Sequence, residues 1–318
     1  MTLSTDNPDI LDLQPRLEDA DPVVRRIAVI ALADLEDPDS LPWLVATLKH
    51  DPAASVRAEA ARLLEAWEEQ PVVAGLCEAL ADTDAQVREA AAQSLSQLKT
   101  EAAGRWVLPW ARHADPFVRA SALRALRELR LADSAEVARE ALQDAAADIR
   151  REAVGILGWL KHTEALADLA RHLANDDDLE VRRMAAGAIG FASTPAVTDA
   201  LTAALGDPHW RVREEAASTL GKVGDDGAGP ALVAAADDAY WQVRLRAVRS
   251  LGRLKYRPAR AAVEALLAHS ISNLRKESAL ALGEFGDARA LPALWAAEND
   301  GDPEVRKAVR IALSQLQP

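Results

Sequence analysis

Apolar residues along this chain fall in short runs, each keeping to one side of a helix. From Val212 they recur at Ala216, Leu220 and Val223; the same offsets give Val243, Ala247, Leu251 and Leu254, and Val87, Ala91, Leu95 and Leu98. Steps of four, four and three residues follow the 3.6-residue helical turn, so each run predicts an amphipathic helix with one buried stripe. A second apolar-rich helical segment precedes each of these across a short turn, as at 41–50, 194–205 and 291–298. No segment reads as a strand.

The pattern repeats. Anchored on Val212-Arg213, counterparts occur at Val24-Arg25, Val56-Arg57, Val87-Arg88, Val118-Arg119, Ile149-Arg150, Val181-Arg182, Val243-Arg244, Leu274-Arg275 and Val305-Arg306, spaced by 31 or 32 residues. A fixed period of this size marks a solenoid, whose helix pairs bury their apolar faces only by stacking on one another. The expectation is an all-α solenoid of about ten two-helix units, one continuous domain over 1–318 with a loose leader at 1–9.

Turn chemistry supports this division. Asp-Pro recurs at Asp21-Pro22, Asp51-Pro52, Asp115-Pro116, Asp207-Pro208 and Asp302-Pro303. Aspartate caps a helix N-terminus, and proline suits a first-turn position that needs no amide hydrogen. In several units an aspartate lies four residues before the arginine: Asp21/Arg25, Asp84/Arg88, Asp115/Arg119, Asp178/Arg182 and Asp302/Arg306. The arginines are expected to form a row along the stack, each bonded to aspartates of its own or the neighbouring turn.

Composition narrows the picture. Hydrophobic residues make up 49% of the chain but aromatics only 4%, so Ala, Leu and Val must fill the core. The single cysteine, Cys77, excludes an internal disulfide framework. No signal-like N-terminus or membrane-length apolar run is apparent, and the expected location is cytoplasmic, with no membrane partner. A net charge of −13 opposes phosphate-rich ligands, so nucleic-acid binding is not expected.

The pattern Asp-x-x-Val-Arg-x-x-Ala-x-x-x-Leu-Gly, with clear Leu-Gly-like endings at Leu157-Gly158, Ile189-Gly190, Leu220-Gly221, Leu251-Gly252 and Leu282-Gly283, resembles HEAT repeats. The closer likeness is to the short phycobilisome-lyase HEAT-like type. That resemblance implies an armadillo-like, right-handed superhelix with the first helices outside. The Val-Arg helices would then line a concave, partner-binding surface.

Catalytic signatures are nearly absent. The histidines form no His-x-x-x-His pair and none precedes a glutamate, unlike the iron-binding HEAT-repeat enzyme deoxyhypusine hydroxylase. The alkylpurine glycosylases that use similar helices need a basic groove, which the acidic balance opposes. The glycines at Gly224, Gly227 and Gly229 follow no strand, and Cys77 lies in an apolar helix. No cofactor or metal is expected, and the balance is against an enzyme.

Candidate sites are sought where units break the pattern. Before their Val, units seven and eight carry His209-Trp210 and Tyr240-Trp241. Trp210 and Trp241 are expected side by side, either packed over the neighbouring turn or forming an aromatic contact patch for a partner. Between Trp241 and Val263 there are seven basic and no acidic residues, and Arg246, Arg249 and Arg253 share a helix face. A ladder such as Glu215–Arg246–Glu277 would balance part of this charge. Arg249 shows no acidic counterpart at the equivalent position in either neighbouring unit, leaving a carboxylate, a phosphate or an acidic peptide as possible guests. In units five and six Trp159 and Phe191 lie one turn beyond Gly155 and Gly187, with Met184 near, suggesting an apolar hollow or simple packing. The leading reading is a non-catalytic protein-binding scaffold, or an accessory in enzyme assembly or maturation, whose protein partner presents an acidic or carboxylate-bearing surface. The alternative is a chromophore (bilin) lyase or tetrapyrrole-handling protein.

Overall fold

The structure, a computed structural model, describes residues 4–317. These form twenty α-helices joined by turns and short 3-10 segments, with no strand among the described residues. Contacts divide the chain into two compact units, Met1–Leu160 and Lys161–Pro318. The first holds α1 (Pro8–Leu17), α2 (Pro22–Ala33), α3 (Leu41–His50), α4 (Ala54–Leu63), α5 (Gln70–Ala79), α6 (Ala85–Leu95), α7 (Glu101–Val107), α8 (Pro116–Leu126), α9 (Ser134–Ala141) and α10 (Ala147–Trp159). The second holds α11 (Leu166–Asn175), α12 (Leu179–Ala188), α13 (Pro195–Ala204), α14 (Trp210–Val223), α15 (Gly229–Ala235), α16 (Trp241–Arg253), α17 (Arg260–Ala265), α18 (Ser272–Phe285), α19 (Leu291–Ala296) and α20 (Pro303–Leu316). Of the expected leader at 1–9, residues 1–3 lie outside the described residues, and α1 already begins at Pro8.

Each unit is a stack of five helix pairs. Even-numbered helices, which carry the Val-Arg dipeptide, pack in sequence: α2 to α10 in the first unit and α12 to α20 in the second. Their stripes, including Val212, Ala216, Leu220 and Val223, are buried against the odd-numbered layer. The Leu-Gly endings have a packing cause. A Cβ on Gly221 would fall 2.3 Å from Ser250 Oγ and 2.8 Å from Ser250 Cα, so only glycine lets α14 and α16 approach this closely. Ser250 Oγ donates across the contact to the Ala217 carbonyl at 2.7 Å, and Ser94 does the same to Ala61 in the first unit at 2.9 Å.

The arginine row exists, and its partners lie one turn further on. Arg57 donates Nε and Nη2 to Asp82 (2.8 and 2.8 Å), Arg213 to Asp238 (2.6 and 2.9 Å) and Arg275 to Asp300 (2.7 and 2.8 Å). Arg25–Asp51, Arg119–Asp144 and Arg182–Asp207 repeat the arrangement, with 25 or 26 residues between partners. Nη1 of each of these arginines donates to the backbone carbonyl six residues back, as Arg213 does to Asp207 at 2.9 Å. Every rung thus ties two turns of one layer to a turn of the next. The aspartate four residues before the arginine has a different task. Asp21, Asp84, Asp115, Asp178 and Asp302 accept helix-opening amides, as N-caps do. Asp51 and Asp207 depart from the expected capping role: α4 and α14 are capped by Ala53 and His209, and these two aspartates receive the preceding arginine instead.

Candidate functional site

The face of the even-numbered helices in the second unit carries the candidate residues 184–253. His209 caps α14, its Nδ1 accepting the Arg211 amide at 3.3 Å, and Trp210 opens the helix. One layer on, Tyr240 holds the N-cap position of α16 without a side-chain bond, and Trp241 opens the helix. Trp210 stacks on Tyr240, with ring centroids 5.6 Å apart and planes 12° from parallel, and on His209 at 6.2 Å. The expected neighbour of Trp210 was Trp241; its stacking partner is Tyr240. The cap residue of the next layer, thirty positions away, lies over the ring. Trp241 is left 36% exposed and Tyr240 46% exposed. Guanidinium groups cover this stack, with Arg211 5.6 Å from the Trp210 centroid and Arg213 5.6 Å from that of Tyr240.

Below Trp210 a groove of about 280 Å³ is lined entirely by α12, α14 and α16. Its charges are paired. Arg183 bonds Glu180 at 2.7 Å, Arg211 reaches Glu180 at 3.5 Å, and Arg246 donates to Glu214 at 3.1 Å. The Arg183 hydrogen bond, opposed by partial burial, holds the Glu180 carboxyl below its ordinary range.

Two expectations about the arginine face need correcting. Arg249 is not short of an acid: Nε and Nη2 grip Glu277 at 2.8 and 2.6 Å, and Glu277 is buried. Arg246 pairs with Glu214, not with the expected Glu215 and Glu277. Glu214 sits one residue before the aligned Glu215, and Glu277 about one helical turn before the aligned Leu280, because side chains on packed helices meet diagonally. Of the three arginines, Arg253 has no ion pair among the described residues and is exposed. Nearby, burial and Glu277 push the Glu284 carboxyl upward, against the pull of Arg253 and Lys255.

The apolar hollow beside Phe191 is filled: a Cβ on Gly187 would lie 3.2 Å from Glu215 Oε1. Met184 and Phe191 are half-buried on and after α12. Trp159 belongs to the first unit, ending α10; it is 49% exposed with the Arg130 guanidinium 4.8 Å over its ring. The groove residues Glu180, Arg183 and Glu214 escaped the sequence reading, which looked for breaks in the pattern; their signal is the diagonal spacing of 28 to 32 residues. Among the described residues no cluster of His, Cys, Asp and Glu could hold a metal, and no helix is long and apolar enough to cross a membrane. Burial pushes the Cys77 thiol up to about 12, away from nucleophilic use.

Comparison with known proteins defines the class. The model for HEAT repeats matches residues 41–109, 104–190, 172–244 and 229–314, and the PBS lyase HEAT-like repeat matches 24–50. The chain belongs to the HEAT-repeat family. No curated protein matches it. Among solved structures, an engineered protein is similar at 21% identity and a TM-score of 0.59, covering 98% of this chain and 100% of that one. YibA of Escherichia coli aligns at 20% identity and a TM-score of 0.61, covering 84% and 98%. Kap95p, solved with RanGDP, aligns at 14% identity and a TM-score of 0.68, covering 96% of this chain but only 49% of its own length. At these identities the likeness concerns the fold.

Proposed function

We propose that this chain is a non-catalytic scaffold, or an accessory in enzyme assembly, acting in the cytoplasm as a single array that docks another protein on the even-helix face around α14 and α16. The observation that carries this is aromatic. In a chain with 4% aromatics, His209, Trp210, Tyr240 and Trp241 gather at consecutive helix starts, and two of them remain exposed. The stacking of layers needs no such rings, since other layers use Asp-Pro, Asp-Ala, Asp-Leu, Ala-Ala or Ile-Ser there. Exposed Trp and Tyr beside arginine are the anchors that protein interfaces favour. Kap95p, solved in complexes with RanGDP and with Nup1, offers a precedent for protein docking on this architecture.

A photo-crosslinking residue at Trp241, with another at Asp199 on the odd-numbered layer as control, tests this in the native host. One stoichiometric protein captured from position 241 and not from 199 is the expected result, lost when Tyr240→Ala and Arg253→Glu are added to the protein carrying the crosslinker. Equal capture from both positions, or none from 241, rejects the docking face. Arg246 and Arg249 are left intact because their ion pairs hold neighbouring helices together.

A further inference from the structure

The arginine row has two places where its carboxylate is replaced by histidine, and they are resolved differently. His113 stands where Arg88 would find its aspartate, and His269 stands where Arg244 would. Both rings take over one aspartate duty, their Nδ1 accepting the amide two residues on, Asp115 at 3.0 Å and Ile271 at 3.1 Å. In the first unit the stranded guanidinium finds a ring: Arg88 lies 5.6 Å over Phe117. In the second unit Asn273 occupies the place equivalent to Phe117, is exposed, and makes no hydrogen bond to Arg244.

Arg244 has also turned. In the other nine arginines of the row Nη1 takes the carbonyl six residues back; Arg244 uses Nε for the Asp238 carbonyl instead. That frees both terminal nitrogens. Nη2 has no partner among the described residues, and Nη1 faces His269 Nε2 at 3.4 Å. This contact is not a hydrogen bond. Because Nδ1 of His269 accepts an amide hydrogen, the ring's proton sits on Nε2. Two donors face one another with no acceptor between them.

We infer that the Arg244–His269 gap receives an aspartate or glutamate side chain of a protein partner, which completes in trans the rung that this layer lacks. The Arg244 guanidinium is suited to a carboxylate because its counterparts in the same row each hold one, at 2.6–2.9 Å from Arg25, Arg57, Arg119, Arg213 and Arg275. A planar carboxylate suits the paired terminal nitrogens of one guanidinium plus an imidazole N–H. Tyr240 and Trp241, four and three residues before Arg244, are exposed, so an acidic residue flanked by an apolar one fits best. The inference rests on the docking face proposed above and sharpens what that face recognises.

The test needs no identified partner. The full chain with isotope-labelled histidine is titrated with N-acetyl-aspartate N-methylamide and, separately, with inorganic phosphate, following the ring signals of His269 assigned by their loss in His269→Asp. The expected result is a saturable shift of His269 with the capped aspartate, at least tenfold stronger than with phosphate and absent from His113. His269→Asp supplies the missing carboxylate internally; it should raise Tm by about 1–3 °C, the size expected for one added half-buried pair in a chain this long. A shift with phosphate alone, equal shifts at His113 and His269, or no shift with either probe overturns the assignment. His269→Asn, which keeps an acceptor for the Ile271 amide, should abolish the partner crosslink from position 241. If wild-type protein captures a partner and both His269 variants capture it equally, the docking face stands and the carboxylate reading falls; if wild type captures none, the docking face itself falls.

Discussion

Arg213 and Arg244 hold the same position in consecutive layers, and one residue separates their fates. Arg213 meets Asp238 through two hydrogen bonds of 2.6 and 2.9 Å, while Arg244 meets His269 and is left with a backbone carbonyl. Around Arg213 all three guanidinium nitrogens are bonded, the side chains of the pair are only 13% and 11% exposed, and the Tyr240 ring lies over the guanidinium. Around Arg244, which has turned, Nη1 faces the His269 ring and Nη2 has no partner among the described residues. Repetition makes the difference readable: six layers meet the arginine with a carboxylate and Arg88 meets a ring, so the layer that faces Arg244 with a histidine is the one offering a bond to something else.

The largest expected effect breaks the complete rung. Asp238→Ala strands the Arg213 guanidinium in a mostly buried place and removes the acceptor of the Tyr240 amide, so chemical denaturation should show a loss of about 3 kcal/mol, as for other broken buried pairs. If the loss is no greater than for a surface ion pair, the rungs do not hold the layers together. Acid should act on the whole set. The Arg57 hydrogen bonds, against partial burial, hold Asp82 below the usual carboxylate range, and Arg275 does the same for Asp300. Their folded-state pKa values are depressed, so the unfolded chain binds more protons at low pH. The stability these rungs give is complete above the unfolded value near 4 and is lost as pH falls through the lower folded values. Asp82→Asn should therefore weaken the dependence of stability on pH below about 4; an unchanged slope would remove Asp82 from the account.

Removing the incomplete rung costs less. Arg244→Ala gives up one charge-assisted bond to the Asp238 carbonyl but strands no carboxylate, so the expected loss is about 1 kcal/mol. Unfolding midpoints of Arg213→Ala and Arg244→Ala measured together check the ordering. Equal losses would mean that the missing carboxylate is already compensated within the chain, and the gap would have nothing to offer a partner.

The layer architecture was legible because it depends on spacing: the apolar stripe, the 31-residue period and the Leu-Gly endings are all one-dimensional signals with a packing cause. The aromatic cluster was legible as a departure from Asp-Pro, yet the pairing of Trp210 with Tyr240 was not. Ring against ring is decided by where helix starts align, which the residue count alone does not reveal. The same limit misassigned the acids. Arg249 appeared unpartnered because its aligned neighbours, Ser218 and Leu280, are not charged; Glu277 reaches it from one turn away. The rung partners at 25 residues were hidden behind the nearer Asp21, Asp84, Asp115, Asp178 and Asp302, which occupy themselves with helix amides. A search for charge pairs across one period minus one and a half helical turns would have found both the rungs and the two histidines that interrupt them.

The smallest effect separates the two interruptions. His113→Asp offers Arg88 the carboxylate that its row position implies, but Arg88 already rests against Phe117 and must leave that ring to take it. A cation–π contact at a partly exposed site and a half-buried ion pair are each worth about 0.5–1 kcal/mol, so the exchange should nearly cancel. His269→Asp faces no such competition, because no ring covers Arg244. Thermal unfolding of the two variants side by side should give a rise for His269→Asp and almost none for His113→Asp. Adding Phe117→Ala to His113→Asp should then bring the gain from the new carboxylate back to the size seen at position 269, relative to Phe117→Ala alone. If it does not, the ring is not what satisfies Arg88, and the contrast between the closed gap and the open one loses its physical basis.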